Sequence, residues 1–561
     1  MMRKFQQPYS FFLGGILVFL FGIPNCFGAE YFCDATQGRD TNSGTSPQSA
    51  WRTVAKINAT SFSPGDTIYF KRGEVWREQL TVSSSGAAGR PITFSAYGSG
   101  ALPILNGANL VYGWAEHAPR VWKASVTPEP QVVAFNDAVG EKVASVASIN
   151  SATDWYWASN VLYIYSTSDP DTAFTNPGIE AGQRLYNIYS NNFDYVTYQN
   201  LHLKYANQSG FRGDYHDDNL TFSGVRVTAS ALFGFEFDSS AAPLLEDCMV
   251  EWVGKYGYLF QPGCSYLTVN RCVAAYNRQR GLQVNPGVGG YIHITGGEYH
   301  HQRYLDADGI AIDDNDGIVI DSVWSHHNDK GHMDTDNGDG IQISGGCVNP
   351  IVRYCFIEFN GNSGLVLNSP QGGQIYYNQI NENHINGIAV DGNSANTLKI
   401  FNNTIYNNGY GILFYYSEPK ALIEVMNNIL WGATLVPEKR VIFQKDYTSD
   451  ANILLDYNCY WGDENEYLLY WGGALYARNQ FKTYQEKAAN DLNSICADPL
   501  FLNVSERNFM LQSTSPCVNR GVDLGIQEGL MNVNVPNDSR VDIGAWEYYA
   551  KPGPPINLKY Y

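Results

Sequence analysis

The sequence predicts an all-β fold, a parallel β-helix solenoid with about 24 residues in each coil. A unit of Gly, an apolar residue, any residue and a second apolar residue recurs along the chain. The glycines are spaced by 23, 24, 28, 31, 24, 23 and 24 residues. Short strands at this period, with no long helical run between them, indicate coils that each pair only with their neighbours. These glycines are Gly234, Gly257, Gly281, Gly309, Gly340, Gly364, Gly387 and Gly411.

A second set of residues recurs at nearly the same period, one turn further round each coil. Segments rich in Val, Ile, Tyr and Phe lie between these positions and are punctuated by Gly and Asn, which is typical of short strands and turns. Three positions hold cysteine, and thiols stacked in one column are expected to be buried. The set is Asn200, Gly224, Cys248, Cys272, Glu298, Ser322, Cys355, Gln379, Asn403 and Asn428.

Composition and period divide the chain into six parts. Arg3 and Lys4 precede an apolar run at 11–23, which is typical of a secretory signal. The predicted parts are a signal peptide at 1–28, an N-terminal cap with the first coils at 29–110, a small inserted β-rich subdomain at 111–195, the β-helix coils at 196–460, C-terminal coils with a cap at 461–550, and a linker-like tail at 551–561.

Bulk composition excludes several classes of function. The net charge of −19 argues against nucleic acid, whose phosphates require Lys and Arg. No later segment is long and apolar enough to span a bilayer. Together with the signal, this predicts a secreted protein, extracellular or periplasmic. We also expect a monomer. Loss of Cys26 leaves nine cysteines without a CxxC pair, which predicts neither a disulfide framework nor a zinc site. Many aromatic residues and few charges favour a glycan partner.

The two ends of the mature chain resemble a known class. The opening, "YFCDATQGRDTNSGTSPQSAWRTVAKINATSFSPGDTIYFKRGEVWRE", is similar to the N-terminal cap of secreted bacterial right-handed β-helix proteins of the pectin-lyase-like class. The tail, with "DPLF", "NFMLQSTSPCVNRG" and "DIGAWEYY", is similar to the closing cap of that group. The resemblance implies a right-handed solenoid that acts on carbohydrate, in a class of hydrolases, lyases, epimerases and binding proteins.

Two coils are longer than the others, and their extra residues predict projecting loops at 299–308 and 326–339. Sites are usually built on such loops of a rigid scaffold. The same two segments hold five of the ten histidines of the chain, so we predict the active site there. The histidines are His300, His301, His326, His327 and His332.

Three charged residues, Arg280, Asp308 and Asp339, each precede a glycine of the repeating unit. On consecutive coils they would lie about 4.8 Å apart and face an open groove. Two carboxyl groups so close together do not both ionise readily. We therefore expect the pKa of one acid to rise, while Arg280 keeps the pKa of the other acid low. A protonated acid beside a carboxylate is the equipment of a glycosidase. We therefore predict these three residues to be catalytic.

The motifs "DADGIAI" and "NGDGIQI" resemble the paired aspartate motifs of the polygalacturonase family, which implies acid and base roles for Asp308 and Asp339. The chain departs from that family in the next coils, where "GNSGLVL" and "NGIAV" replace Gly-His-Gly and Arg-Ile-Lys. His332, in a loop flanked by glycine, is the candidate proton shuttle. This hydrolase interpretation requires no cofactor.

A second resemblance, to calcium-dependent β-helix pectate lyases, leads to a different chemistry. Those enzymes combine an aspartate cluster with a lysine base on the outward face of a strand. Oxygen ligands at such density suit Ca²⁺, and turn formation is the alternative role for "DDNDG". Gln342 takes the place of the lysine, so Lys330 or Arg280 would be the base. The candidate calcium ligands are Asp306, Asp313, Asp314 and Asp316.

Three classes of function remain open at this point. A secreted glycoside hydrolase cleaving a polysaccharide or oligosaccharide is favoured over a calcium-dependent polysaccharide lyase or epimerase and over a non-catalytic glycan-binding or surface protein. The residues predicted to bind substrate are His301, Tyr304, Gln283, Gln342 and Trp324.

Overall fold

A computed structural model describes most of the chain. The described residues are 28–304, 306–329, 338–392, 394–415, 421–432, 443–445, 452–462 and 467–548, with the backbone alone in 443–445. The predicted signal peptide, apart from Gly28, and the predicted tail at 551–561 lie outside them.

Within these residues the chain forms a β-solenoid of three long sheets, each with 14 strands. Between the two ends, a coil contributes one strand to sheet 1, then one to sheet 2 and one to sheet 3, and each strand pairs in parallel with the coils before and after it. The last strand of sheet 3 is the exception, because it pairs antiparallel with its neighbour. The predicted parallel β-helix is thus confirmed.

The strands follow in chain order within each sheet. Sheet 1 contains Glu30–Cys33, Thr67–Lys71, Ile92–Tyr97, Val196–Gln199, Thr221–Ser223, Leu244–Glu246, Ser265–Asn270, Gly289–Thr295, Ile318–Asp321, Ile351–Arg353, Gly373–Tyr376, Leu398–Phe401, Ile423–Met426 and Ile453–Asp456. Sheet 2 contains Val75–Trp76, Ile104–Asn106, His202–Lys204, Arg226–Thr228, Met249–Glu251, Val273–Ala275, Glu298–His300, Trp324–His326, Phe356–Glu358, Gln379–Asn381, Thr404–Tyr406, Ile429–Trp431, Cys459–Trp461 and Ile495–Cys496. Sheet 3 contains Leu80–Thr81, Tyr186–Asn191, Ser209–Asp214, Phe233–Phe237, Tyr258–Phe260, Leu282–Val284, Ile310–Asp313, Ile341–Ser344, Leu365–Asn368, Asn386–Asp391, Tyr410–Tyr415, Phe443–Lys445, Tyr467–Trp471 and Ala474–Ala477.

The repeating glycines lie where the chain enters sheet 3, packed against the core. A β-carbon on Gly309 would lie 2.2 Å from Ser325 Oγ and 2.6 Å from the carbonyl oxygen of Gly340. No larger side chain fits there without displacing backbone, which explains why the coil period shows most clearly at glycine. The first predicted periodicity is therefore confirmed.

The second predicted periodicity marks the bend between sheets 1 and 2, but it mixes two adjacent columns. Asn200 and Ser322 have left-handed backbone, with φ of 55° and 56°. Cys355 belongs to the following column, because its N–H donates to Asn378 Oδ1 at 3.0 Å, and Gln379 lies one residue beyond that column. The predicted period is right, but some of the predicted positions lie one residue away from the column formed by the others. The spacing did not reveal this, because positions shifted together keep the same spacing.

Buried amide side chains form two ladders along the bends of the solenoid. At each step a side-chain oxygen accepts a hydrogen bond from a backbone N–H of the preceding coil, at 2.9–3.3 Å. Such bonds satisfy backbone groups that the bend removes from the sheets. The ladder after sheet 1 contains Asn378, Asn403, Asn428 and Asn458, and the ladder after sheet 2 contains Gln302, Asn328, Asn360, Asn383 and Asn408.

The predicted column of thiols is buried. Cys248, Cys272 and Cys355 are at most 1 % exposed, and the nine cysteines of the described residues are free thiols. Burial raises the pKa of Cys355 to about 12, so this thiol is not an available nucleophile.

The inserted subdomain has its own apolar core and antiparallel sheets. Its limits differ from the predicted 111 and 195, because Ala108–Leu110 already pairs with Ile179–Gly182 and the coils resume at Tyr186. Its strands are Ala108–Leu110, Ala115–Ala118, Val121–Ser125, Val133–Phe135, Ala138–Val139, Glu141–Lys142, Asp154–Ala158, Val161–Tyr165 and Ile179–Gly182.

Helices are few and short among the described residues. In the N-terminal cap, the segment "SAWRTVAKINA" forms the helix Val54–Asn58, with Thr53 as its N-cap. No described helix has the length and apolar character needed to cross a membrane. The other α-helices are Pro170–Ala173 and Phe481–Ala488, the 3-10 helices are Pro47–Ser49, Val146–Ser148, Arg478–Gln480, Val504–Glu506 and Leu530–Asn532, and the C-terminal cap adds the strands Phe501–Asn503 and Asn508–Leu511.

Buried carboxyl groups in the caps and coils make the stability of the fold depend on pH. Burial raises the pKa of Glu547 to about 8 and that of Asp217 to about 7. A folded state with raised carboxyl pKa values holds protons that the unfolded chain has lost, so the stabilisation is full at low pH and is lost as the pH rises through the folded pKa. We expect the melting temperature to fall by several degrees between about pH 5 and pH 8.

The Glu547→Gln variant, which carries the neutral form permanently, is expected to reduce this pH dependence measurably in calorimetry. Glu486→Gln, a change at an exposed helical position, is the matched control and should leave it intact. A wild-type melting temperature that rises across the same pH range would contradict the prediction.

Candidate active site

The three charged residues predicted to be catalytic lie in one column on consecutive coils. Arg280, Asp308 and Asp339 each stand two residues before a strand of sheet 3, and these strands pair in register. The Gly309 N–H donates to the carbonyl oxygen of Asp339 at 2.9 Å, which ties two of the coils together. Arg280 Nε donates to Asp308 Oδ2 at 3.1 Å. The predicted alignment is confirmed.

Each acid also accepts a hydrogen bond from the backbone of the next coil. Asp308 Oδ1 accepts from the Asp339 N–H at 3.0 Å, and Asp339 Oδ1 accepts from the Ser363 N–H at 2.9 Å. The polar column continues beyond them, because Asn386 Nδ2 donates to Ser363 Oγ at 2.9 Å. These bonds hold both carboxyl groups in fixed positions.

The open groove expected in front of the two acids is not present in the described structure. Asp308 is 2 % exposed and Asp339 is 3 % exposed, while the Arg280 side chain is 16 % exposed. An aspartate side chain is short, and coils stacked about 4.8 Å apart cover it from both sides. Solvent therefore meets this column mainly at the guanidinium.

Burial and neighbouring charges act differently on the two acids. Burial raises the pKa of Asp308, while Arg280 and the Asp339 N–H oppose that rise. Burial raises the pKa of Asp339 well above its usual range, and the charge of Asp308 raises it further. The two groups titrate as a coupled pair, in which the proton is favoured on Asp339 and the negative charge beside Arg280.

Arg280 also connects the buried acids to the outward face of sheet 3. Its Nη1 donates to Gln283 Oε1 and lies 3.9 Å from Asp313 Oδ2, and its Nη2 lies 3.5 Å from Gln342 Oε1. Gln283 is 1 % exposed and donates to Asp313 at 2.9 Å, so it positions its neighbours and has little surface left for substrate. The Asp313 side chain is 29 % exposed, and Gln342 is half-buried. These two residues present the network to solvent.

The four aspartates predicted as calcium ligands are dispersed. Asp306, Asp314 and Asp316 are exposed, whereas Asp313 faces Arg280. Among the described residues these carboxylates do not form a group of three whose oxygens lie within 4.8 Å of one another. Calcium binding by this set stays a prediction.

The loop residues predicted to bind substrate expose little ring face. Trp324 packs on His326 with ring centroids 3.9 Å apart, and His301 stacks on His327 at 5.0 Å. Tyr304 is the most accessible of the predicted aromatic residues, at 48 % exposure. Faces that stack on neighbouring coils are not available to a sugar ring. The Arg278 guanidinium lies 4.8 Å from the Tyr304 ring centroid, so at most the other face of Tyr304 is a candidate platform. Two other predicted site residues, Lys330 and His332, lie outside the described residues.

Sequence reasoning missed one cluster of titratable groups. Glu298, His300 and His326 share the outward face of sheet 2, and His326 Nε2 lies 2.8 Å from Glu298 Oε1. Burial lowers the pKa of His300 to about 4, so its ring is neutral at neutral pH. A signal was available in the sequence, because the pairs His300–His301 and His326–His327 recur 26 residues apart.

Comparison with known proteins adds three findings. The family described as "Right handed beta helix region" matches residues 292–436. A lacto-N-biosidase of Bifidobacterium longum subsp. longum is 35 % identical over 75 residues, which amount to 13 % of this chain and only 5 % of that protein. The solved complex of XylC with xylose has a TM-score of 0.52 at 12 % identity, covering 78 % of this chain and 85 % of that one.

A solved GH136 lacto-N-biosidase from Eubacterium ramulus is a more distant match, with a TM-score of 0.43 at 14 % identity over 77 % of this chain and 67 % of that chain. The family match lies within the coils that carry the candidate site. Together with the three parallel sheets, this family match shows that the chain is a right-handed parallel β-helix protein.

Proposed function

We propose that the protein is a carbohydrate-active enzyme, a glycoside hydrolase that uses Asp308 and Asp339 as its pair of carboxyl groups. The observation that carries the proposal is the electrostatic difference between two acids on consecutive coils. Asp308 contacts a guanidinium at 3.1 Å, and Asp339 is the acid whose pKa rises further. Pairs of carboxyl groups with separated pKa values are characteristic of acid–base catalysis on glycosides. The matched segment of a relative named lacto-N-biosidase also supports a glycosidase.

The two acids would have complementary roles in hydrolysis. Asp339, whose pKa is raised by burial and by the charge of Asp308, donates a proton to the glycosidic oxygen as the bond to the anomeric carbon breaks. Asp308, whose pKa rise is opposed by Arg280, is the carboxylate that forms a bond to the anomeric carbon, and water then hydrolyses this glycosyl ester with Asp339 as the base. Consecutive strands lie about 4.8 Å apart, and we propose a retaining outcome, which needs carboxyl groups about 5–5.5 Å apart. Proton NMR of the first-formed product would test this stereochemistry.

Access to the acids is the critical step in this proposal, because both are buried. The partly exposed carboxylate of Asp313 and the guanidinium of Arg280 are the parts of the network that a sugar reaches first. Binding of substrate would need to displace the Arg280 side chain from its contact with Gln283 and uncover the acids behind it. A neutral glycan fits this surface better than a polyanion, since the chain carries a net charge of −19.

The proposal is tested by a screen of neutral and acidic glycans. Lacto-N-biosides and xylo-oligosaccharides belong in the screen because of the names of the two similar proteins. We expect new reducing ends without an unsaturated product, and no loss of activity with a chelator of calcium. An unsaturated, ultraviolet-absorbing product that requires calcium would identify a lyase instead. Glycan binding without any cleavage would identify the non-catalytic class.

Removal of the guanidinium should shift the pH profile of catalysis. In Arg280→Met the influence that lowers the pKa of Asp308 is lost, so ionisation of Asp308 requires a higher pH. We expect the acidic limb of the kcat/KM profile to move upward by about one pH unit or more. Arg280→Lys, which keeps the positive charge, is the control and should shift the limb less. An unchanged limb in Arg280→Met would separate Arg280 from the catalytic acid.

A further inference from the structure

The cluster of Glu298, His300 and His326 lies on sheet 2 and is not used by the proposed hydrolysis. The strands Glu298–His300 and Trp324–His326 pair in register, with His300 opposite His326. Strand alternation points all three side chains of the cluster away from the solenoid core, because the intervening Tyr299 is fully buried. Two imidazoles and one carboxylate thus share one patch of the wall.

The donor atoms of the cluster have the separations that a small metal ion needs. Glu298 Oε1 lies 2.8 Å from His326 Nε2 and 3.6 Å from His300 Nε2, and one donor atom from each residue lies within 4.8 Å of the other two. Bonds of about 2.0–2.1 Å in a tetrahedral zinc site place neighbouring donors roughly 3.3 Å apart. The two separations from Glu298 Oε1 bracket that value, and the donor atoms of the two parallel imidazole rings, which lie within 4.8 Å of each other, would tilt toward the shared ion.

Two further histidines are placed to fix the tautomers of the donors. His300 Nδ1 lies 2.7 Å from His301 Nδ1, and His326 Nδ1 lies 2.7 Å from His327 Nδ1. Without a metal ion, His326 Nε2–H donates to the Glu298 carboxylate at 2.8 Å; when an ion replaces that proton, each inner ring donates its Nδ1–H to the outer ring and its Nε2 lone pair is left for the ion. Metal-binding histidines are commonly oriented by such a second hydrogen bond.

The surroundings leave one side of the cluster open. The side-chain exposures are 6 % for His326, 13 % for His300 and 28 % for Glu298. The two imidazole rings are parallel with centroids 5.0 Å apart, and Trp324 covers His326. Three protein donors with one accessible side match the arrangement of zinc sites that keep a position for water or another ligand.

We propose that Glu298, His300 and His326 form a binding site for a divalent transition metal ion, with Zn²⁺ the expected occupant. Neutral imidazole favours such ions over Ca²⁺ and Mg²⁺, which prefer oxygen ligands. The site is independent of the hydrolase proposal, since none of its three residues belongs to the Arg280 network.

The test uses the full mature chain after treatment with a chelator. Equilibrium dialysis with Zn²⁺ should give one site per chain that Ca²⁺ does not occupy, and Co²⁺ should give the visible absorption bands of a low-coordinate complex. We expect affinity for Zn²⁺ to fall by about 100-fold or more in His300→Ala and His326→Ala. His293→Ala, an exposed histidine on sheet 1, is the matched control and should bind as the wild type does.

A second pair of variants addresses the orienting histidines. His301→Ala and His327→Ala are expected to weaken Zn²⁺ binding by about 10–100-fold, because they remove only the second hydrogen bond. Glu298→Gln keeps the shape of the side chain and covers the case in which a histidine variant does not fold, as judged by circular dichroism. Equal Zn²⁺ affinity in the wild type, Glu298→Gln and a folded His300→Ala would overturn the proposal.

Discussion

The Asp339→Asn variant is expected to lose about 10³-fold in kcat and to remain folded. Asparagine fills the same space and its amide oxygen still accepts the hydrogen bond from the Ser363 N–H, but it has no proton to give to the leaving oxygen. Removal of a general acid typically costs 10²–10⁴-fold. The measurement is kcat on the glycan found in the screen, with a leaving group that requires protonation.

Two matched variants show whether the loss is specific to the buried acids. Asp308→Asn removes the proposed carboxylate and should lose a comparable factor, whereas a sugar with an activated leaving group should restore activity to Asp339→Asn alone. Asp313→Asn changes the partly exposed carboxylate of the network around Arg280. If Asp313→Asn is inactive while both buried variants retain wild-type kcat, the pair on consecutive coils is not the catalytic pair.

The fold was predictable because the coil period recurs at positions where packing restricts the type of residue. Gly309 shows the reason, since any β-carbon there would collide with Ser325 and the next coil. The same constraint places Arg280, Asp308 and Asp339 in one column, so their alignment followed from the spacing. The bend after sheet 1 tolerates different residue types. The second periodicity, which was based on that bend, was therefore shifted by one residue at some of its positions.

Exposure and the clustering of side chains on neighbouring strands were harder to predict from the sequence. The spacing of Asp308 and Asp339 specifies which coils they occupy, but their burial depends on what packs over the turn. Glu298 and His326 approach each other because the strands of sheet 2 pair with His300 opposite His326. The predicted loops at 299–308 and 326–339 include His300 and His326, whereas in the structure these two residues end strands of sheet 2. A two-residue error in the strand limits therefore concealed the cluster.

The amide ladder after sheet 2 links the coils that contain the candidate site. Its hydrogen bonds are cooperative, because each amide bonds to groups on neighbouring coils. Asn383 Oδ1 accepts from the backbone N–H of Asn360 at 3.1 Å and from its side-chain Nδ2 at 2.9 Å. Asn383 Nδ2 donates to the Ile357 carbonyl oxygen at 3.1 Å and to Asn408 Oδ1 at 2.9 Å. All of these groups are buried, so the loss of one amide leaves donors and acceptors on two coils without partners.

Asn383→Ala is therefore expected to destabilise the protein by about 3 kcal/mol or more in denaturant unfolding, well beyond an ordinary surface change. Asn368→Ala, an exposed turn position at the end of a sheet 3 strand, is the control and should change the free energy of unfolding by no more than about 0.5 kcal/mol. Because the ladder continues from Asn328 through Asn360 to Asn408, the double variant Asn360→Ala with Asn383→Ala should cost less than the sum of the two single changes. Strict additivity, or a cost for Asn383→Ala no larger than that of the control, would show that each coil satisfies its backbone without help from the next.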